Sequence, residues 1–579
     1  MLDTLLAGVC QGLIWAVLAL GMYISFRILN FADLTCEGCI TLGASISAML
    51  IWKEFNPFLS VLVAFLAGSI AGTVTGLLNT KLKIPPILSG ILTMISLYSI
   101  NIHIMSLATG TGGTANLSLL TFRSNTAYAR VSSLLGLGKV YSSLIFGVVV
   151  VLAVSGILYW FFGTELGCAI RATGANTTMC RAQGINTDLT KLCGLALSNG
   201  LIAASGALLC QYQNYADVNM GVGSIIIGLA SIIIGETLFM KFKNFYMKLT
   251  GVIAGAVIYR VVVAFVIYSG MPSTDLKIMT AGIVTVALAL PTIRKFIGSS
   301  RLFKKVRRRE KMAETMLELR SVSKTFNPGT VNEKKAIDRV SLNVRRGDFI
   351  TIIGGNGAGK STLINAITGV FQIDEGEIIL DGADIIGLSE HKRAKHFGRV
   401  FQDPMLGTAP NMTIEENMAL AYRRGKRHSL RWGISPRERA FYREQLKQLE
   451  LGLEDRMIQK VGLLSGGQRQ ALTLLMATLI RPKMLLLDEH TAALDPKTAK
   501  KVLKITEELV RKDNLTTLMV THNMKNAIEY GNRLIMMNDG RIILDIDGEE
   551  KKKLTVEMLL EKFSKVSGSE FTSDRALLS

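Results

Sequence analysis

Residues Gly354 to Ser361 read GGNGAGKS and fit G-x-x-x-x-G-K-[ST], a spacing that lets backbone N–H groups turn inward on phosphate oxygens. Gly354, Gly355, Gly357 and Gly359 supply the turns, with Asn356 and Ala358 between them. Lys360 has the reach for the β/γ-phosphates and the Ser361 hydroxyl for Mg²⁺. The apolar run Phe349 to Ile353 precedes the loop, and a helix-like stretch, Thr362 to Thr368, follows it. That strand-to-helix setting is what the motif needs, since the helix N-terminus adds positive potential for an anion. The chemistry predicted is the handling of ATP with Mg²⁺.

A chain of 579 residues is too long for one hydrophobic core, and composition divides it near residue 300. The first half is a succession of apolar stretches with short polar loops; the second has the mixed charge of a soluble domain. The net charge of +20 does not make it a nucleic-acid binder, because many of the bases flank apolar spans. All seven cysteines (Cys10, Cys36, Cys39, Cys168, Cys180, Cys193, Cys210) lie in the apolar half, so no disulfide framework is expected in the soluble half. Cys36 and Cys39 would share a helix face, and with no second pair nearby they read as small apolar packing rather than a soft-metal site. Met1 to Thr4 carries no Lys or Arg, so the first apolar run is expected to be a retained span.

Stretches of about 20 apolar residues are predicted at Leu5 to Phe26, Thr35 to Trp52, Phe58 to Asn79, Pro86 to Ala108, Ser142 to Phe162, Leu192 to Gln211, Val222 to Met240, Leu249 to Tyr268 and Ile278 to Pro291, about nine spans. Arg27, then Lys81 and Lys83, then Arg171, Arg181 and Lys191, then Lys241, Lys243 and Lys248 lie in alternate loops, which the positive-inside rule makes cytoplasmic. The loop from Thr109 to Tyr141 is then outside. Glycines in Leu66 to Leu78 suit close helix approach. Glu37, His103, Glu236 and Arg260 in or near apolar spans are each expected to pair or to line a pathway. Arg294 to Lys311 holds nine bases and one acid, a tether that an anionic leaflet attracts. The expected divisions are a membrane domain over 1–293, a basic linker over 294–315, an ATPase domain over 316–565 and a disordered tail over 566–579. The run from Arg423 to Arg443 reads as solvated surface, or as a contact with lipid headgroups or the permease.

Thr164 to Asn186 is a polar, Gly-, Ala- and Arg-rich segment that resembles the coupling loop of importer permeases, with Gly167, Arg171, Ala172, Gly174, Asn176, Ala182, Gly184 and Asn186 in the pattern. Ala16 to Ala44, including Ile28-Leu29-Asn30-Phe31-Ala32, is similar to the first two spans of branched-chain amino acid permeases. From about Leu317 onward the chain resembles the ATP-binding cassette family. Leu464-Ser465-Gly466-Gly467-Gln468 matches the family signature, and the apolar run Met484 to Leu487 ends in Asp488 and Glu489. The resemblance assigns Asp488 to Mg²⁺ and Glu489 to polarising the attacking water, and His522 after Thr516 to Thr521 to the γ-phosphate. It also implies that Gln402 touches Mg²⁺ and faces the permease, that Phe326 stacks on adenine, and that Ala493-Leu494-Asp495 crosses a dimer interface. Ser465, Gly466, Gly467 and Gln468 would close the ATP site of another copy. His490 departs from what many members carry after the glutamate.

The expected architecture is a polytopic all-α membrane domain followed by an α/β P-loop NTPase domain of ABC type. Since one cassette cannot complete a site, the resemblance implies a homodimer in the cytoplasmic membrane, its ATPase domains in the cytoplasm. It implies import of a small organic solute, an amino acid and an aromatic one among the candidates, handed over by an extracytoplasmic solute-binding protein. An exporter of lipid or hydrophobic compounds, or a membrane-anchored mechanical ATPase, stays open as the alternative.

Overall fold

The computed structural model describes residues 2–238, 245–268, 304–305, 315–327, 333–355, 357–426, 429–492 and 494–567. The chain divides into two compact units, Met1–Gly174 with Thr187–Gly298, and Ser299–Ser579 with Ala175–Asn186.

In the first unit six helices are long and apolar enough to cross a bilayer: Thr4–Ile28, Pro57–Thr80, Pro86–Thr109, Lys139–Gly163, Thr187–Gln213 and Phe245–Tyr268. Two shorter apolar helices, Cys36–Trp52 and Ser224–Thr237, accompany them. They fall on eight of the nine stretches expected; the ninth, 278–291, lies outside the described residues. In Thr187–Gln213 the most apolar window is 78% buried, against 22–33% in four of the others, so this helix is an axis about which the rest pack. Small residues make that possible. A Cβ on Gly206 would lie 1.9 Å from the Ile40 carbonyl oxygen, and one on Gly43 would lie 1.8 Å from that of Ala203. Gly68 and Gly72 let helix Pro57–Thr80 approach the same axis at the Asn199 and Leu195 carbonyls.

The polar residues of this unit are spent on joining helices. Glu236 pairs with Arg27 at 2.6 Å, and the Arg260 guanidinium lies over the Trp15 ring at 4.5 Å. Gln211 donates to Ser47, Pro57 and Ser60 and accepts from the Ala127 N–H. Asp33, which sequence reasoning passed over, is fully buried where the first span breaks before Cys36, and takes bonds from Asn199 Nδ2 at 2.7 Å and the Thr35 N–H at 2.9 Å. Glu37 accepts from the Gly223 N–H, Asn101 donates to the Gly38 carbonyl, and Cys36 donates to the Asp33 carbonyl.

The second unit is built on a six-stranded sheet in the order Arg541–Asp547, Arg533–Asn538, Phe349–Ile353, Thr516–Val520, Met484–Asp488, Phe397–Val400. Every pairing is parallel except the first, and Phe349–Ile353, Thr516–Val520 and Met484–Asp488 are buried throughout, as their mainly apolar and β-branched sequences suit. Parallel pairing brings the C-terminal ends of five strands side by side, where an open α/β sheet binds its ligand. An antiparallel sheet of Lys334–Arg345, Thr315–Phe326, Glu375–Leu380 and Ala383–Asp384 shares the core.

Within the run from Arg423 to Arg443 the described bases Lys426, Arg431, Arg437, Arg439 and Arg443 are exposed, as a solvated surface requires, whereas Arg423 and Arg424 are buried. Arg423 reaches Glu438 at 2.6 Å, Arg424 donates to the Ala477 and Ile480 carbonyls, and Arg439 forks onto Glu415. Arginine serves there because a guanidinium satisfies several acceptors at once. Lys551, 3% exposed, donates to Thr351 Oγ1 in the strand that feeds the phosphate loop and to the Tyr530 and Gly531 carbonyls. Burial lowers its pKa to about 8. An unfolded chain holds that proton until about pH 10.5. Folding therefore costs most below pH 8, and stability recovers between about 8 and 10.5 by up to about 3 kcal/mol. The expected result in thermal melts is that Lys551→Met loses this alkaline gain while the wild type keeps it.

Candidate active site

The phosphate loop leaves strand Phe349–Ile353 and enters helix Lys360–Thr368. Gly354, Gly357 and Gly359 have φ of 152°, 80° and 97°, backbone that disfavours any side chain. Space forbids one too: a Cβ on Gly354 would lie 2.2 Å from the Met537 carbonyl oxygen. Gly355 and Ala358 complete the turn, through the Ala358 N–H on the Gly355 carbonyl at 3.2 Å. Asn356 lies outside the described residues. Lys360 Nζ donates to the Gly354 and Gly355 carbonyls at 2.8 and 3.1 Å, and Thr362 follows in the first turn of the helix.

Around this loop the sheet gathers residues far apart in sequence. Ser361 Oγ donates to Asp488 Oδ1 at 2.9 Å. Glu489, one residue past strand Met484–Asp488, has its Oε2 3.2 Å from Gln402 Nε2 and 3.5 Å from His522 Nδ1, and its Oε1 4.0 Å from Lys360 Nζ. Its φ of 42° is left-handed, which turns the carboxylate away from the strand direction. Lys360, Ser361, Gln402, Asp488, Glu489 and His522 thus form one cluster, as their motifs predict.

Charges inside the cluster act on one another. Burial raises the Asp488 pKa, opposed by the Ser361 bond and by Arg399. The His522 bond, with Lys360, lowers that of Glu489, and Glu489 raises that of His522 in return. Glu489 is thereby kept ionised, able to accept a proton. Ser361 Oγ, Asp488 Oδ1 and the Gln402 side chain offer hard oxygen donors and no thiolate or imidazole, a set that fits Mg²⁺. They would hold such a cation, and the cation would supply charge neutralisation for phosphate oxygens.

Phe326, at the end of strand Thr315–Phe326, meets Phe371 edge to face at 5.2 Å. The signature opens helix Gly466–Thr478 by a capping box: Ser465 Oγ accepts from the Gln468 N–H at 3.3 Å, and Gln468 Oε1 from the Ser465 N–H at 2.9 Å. Gly466 and Gly467 are its first helical residues. Gln470, unremarked in the sequence, ties this helix to the Phe401 carbonyl beside Gln402.

The residues of the coupling pattern divide between the units. Gly167 and Gly174 pack in the first, a Cβ on Gly174 falling 1.9 Å from the Ile28 carbonyl oxygen, and Arg171 lies over Phe245 at 5.1 Å. Asn176 and Gly184 belong to the second. Asn176 Nδ2 donates to the Met405, Leu406 and Thr408 carbonyls at 2.7, 3.2 and 2.8 Å, just after Gln402, while its Oδ1 caps helix Thr177–Ala182 at the Met179 N–H. Gly184 abuts the His391 carbonyl. Arg393, buried two residues on, donates to the Ala366 and Ile367 carbonyls at the end of the phosphate-loop helix. No local pattern marks Arg393, since its partners are backbone carbonyls that any sequence has.

Residues 4–289 match the family "branched-chain amino acid transport system / permease component", and residues 337–492 match the family "ABC transporter". A tyrosine transport ATP-binding protein of Clostridioides difficile is 47% identical over 249 residues, 43% of this chain and 98% of that protein. A tyrosine transport system permease protein of the same organism is 39% identical over 279 residues, 48% of this chain and 88% of that protein. A methionine import ATP-binding protein of Rhizobium johnstonii is 37% identical over 234 residues, 40% of this chain and 60% of that protein.

Proposed function

Since the chain belongs to the ABC transporter family and is a multi-pass, ATP-hydrolysing importer, we propose that its solute is an amino acid of the tyrosine class. The observation that carries this reading is the pair of relatives: the chain joins in one polypeptide what in Clostridioides difficile are two proteins, both named for tyrosine transport. Two copies form a homodimer in the cytoplasmic membrane, each lending its signature, Ser465 to Gln468, to the other's phosphate loop. Glu489 accepts the proton of the attacking water at Oε2, His522 holds that carboxylate and the γ-phosphate, and Lys360 with the loop amides binds the phosphates. Asp488, Ser361 and Gln402 hold Mg²⁺, and Phe326 takes adenine. An extracytoplasmic binding protein delivers the solute.

Coupling runs through Asn176, whose amide holds three carbonyls next to Gln402, so closure at the ATP site moves the segment that leads back to the spans. Asn176→Ala removes those bonds. It is expected to leave basal hydrolysis within about threefold while uptake falls at least tenfold, each bond being worth about 1 kcal/mol. Hydrolysis and uptake measured on the same vesicles check the split.

The test of the reading is ATP-dependent accumulation of labelled tyrosine in proteoliposomes, with and without candidate binding proteins. Saturable uptake, competed by phenylalanine or tryptophan, supports it. Absence of uptake, with hydrolysis stimulated by lipid or hydrophobic compounds, would transfer the chain to the exporter or mechanical class.

A further inference from the structure

We propose that His490 is a positioning residue for hydrolysis, aiming the Glu489 carboxylate by tying the turn after it to helix Pro496–Asp513; this rests on the role given to Glu489 above. The backbone at Glu489 has φ 42°, a conformation unfavourable for a non-glycine residue, which persists only where its surroundings dictate it. Main-chain bonds supply part of that dictation. The Glu489 N–H donates to the Val520 carbonyl at 3.1 Å, and the Ala492 N–H returns to the Glu489 carbonyl at 3.0 Å.

The side-chain part comes from His490. It is 2% exposed, and its Nε2 lies 3.1 Å from Thr506 Oγ1, in the third turn of helix Pro496–Asp513. The Thr506 hydroxyl proton is already engaged, at 2.9 Å from the Val502 carbonyl oxygen. Thr506 Oγ1 therefore accepts, and His490 donates from Nε2. That single bond sets both the tautomer and the ring direction. The helix it reaches is itself anchored, since Asp495 Oδ1 caps it by accepting from the Thr498 N–H at 3.0 Å.

The Glu489 backbone is thus tied to the sheet through the Val520 carbonyl, and the next residue, His490, is tied through its ring to helix Pro496–Asp513. Of the carboxylate's own contacts, Gln402 at 3.2 Å and His522 at 3.5 Å come from side chains that are not buried, and Lys360 at 4.0 Å from one that is. The His490 to Thr506 bond, by contrast with the first two, lies in the core. An ordinary core histidine would contribute packing alone, and the two roles give different kinetics.

The experiment is steady-state ATP hydrolysis by the full chain in nanodiscs, with ATP affinity and melting temperature measured for each variant. His490→Ala and Thr506→Val are expected to lower kcat by about 10- to 100-fold, the scale of a misaimed catalytic group, with the KM for ATP within about twofold. His490→Gln, which keeps an N–H donor at similar reach, and Thr506→Ser are expected to stay within about threefold of wild type. The double variant should be no worse than either single, and in a Glu489→Gln background His490→Ala should remove nothing more. The proposal is overturned if His490→Gln is as impaired as His490→Ala, or if the loss persists undiminished in the Glu489→Gln background. It is also overturned if kcat falls only in step with the melting temperature. Glu489→Gln run alone separates the two readings: full hydrolysis in that variant sinks the role of Glu489 itself, and this inference with it.

Discussion

Glu489→Gln is expected to bind ATP as tightly as wild type and to hydrolyse it about 10²- to 10⁴-fold more slowly, the range a positioned general base contributes. Glutamine keeps the shape and still accepts from His522, but it cannot take a proton from water. His522 holds the carboxylate at 3.5 Å and lowers its pKa, so at neutral pH the wild-type group is ionised and ready. The loss should appear in kcat, because the groups that bind phosphate, Lys360 and the loop amides, are untouched. Nucleotide binding measured beside turnover checks the split, and a variant that fails to bind would point to a structural role for Glu489. By the same logic it should stabilise the ATP-bound dimer, since closure no longer ends in hydrolysis.

Gly206→Leu is expected to abolish recovery of folded protein. A Cβ at that position would lie 1.9 Å from the Ile40 carbonyl oxygen and 2.8 Å from its carbon, so the backbones of helices Thr187–Gln213 and Cys36–Trp52 must part by more than an ångström. Separation at this crossing strips contacts along the axis helix of the permease and strains the bonds Gln211 makes to Ser47 and Ser60. Overpacking in a close-packed core costs about 1–3 kcal/mol where a flexible side chain can move, and here the obstacle is backbone on both sides. Gly156→Leu is the control, since a Cβ there meets nothing within 4 Å. The measurement is the monodisperse fraction after detergent extraction. Equal recovery of the two variants would show that the crossing tolerates displacement.

The cluster round the phosphate loop was legible because each member is fixed by local pattern. The phosphate loop needs glycines where φ is positive, and Gly354, Gly357 and Gly359 are spaced for it. Buried parallel strands need mainly apolar or β-branched runs, and Met484–Asp488 and Thr516–Val520 deliver Glu489 and His522 just past their ends. Likewise a membrane span is a matter of length and hydropathy, so eight stretches coincide with helices to within a few residues. In these cases the information sits within about 20 residues of the feature it predicts.

Pairings across long separations were beyond such reading. The sequence by itself determined a membrane half, an ATPase half, the chemistry of the phosphate loop and the identity of the residues gathered round it. Tertiary structure alone decided that Glu236 answers Arg27, that Asp33 is buried against Asn199, that Arg423 and Arg424 turn inward, and that Asn176 joins the ATPase unit. It also gave His490 a fixed partner in Thr506. The physical reason is the same throughout. Propensity and hydropathy are properties of a short stretch of chain, whereas a buried charge or amide is stable only beside a particular acceptor that another element brings to it.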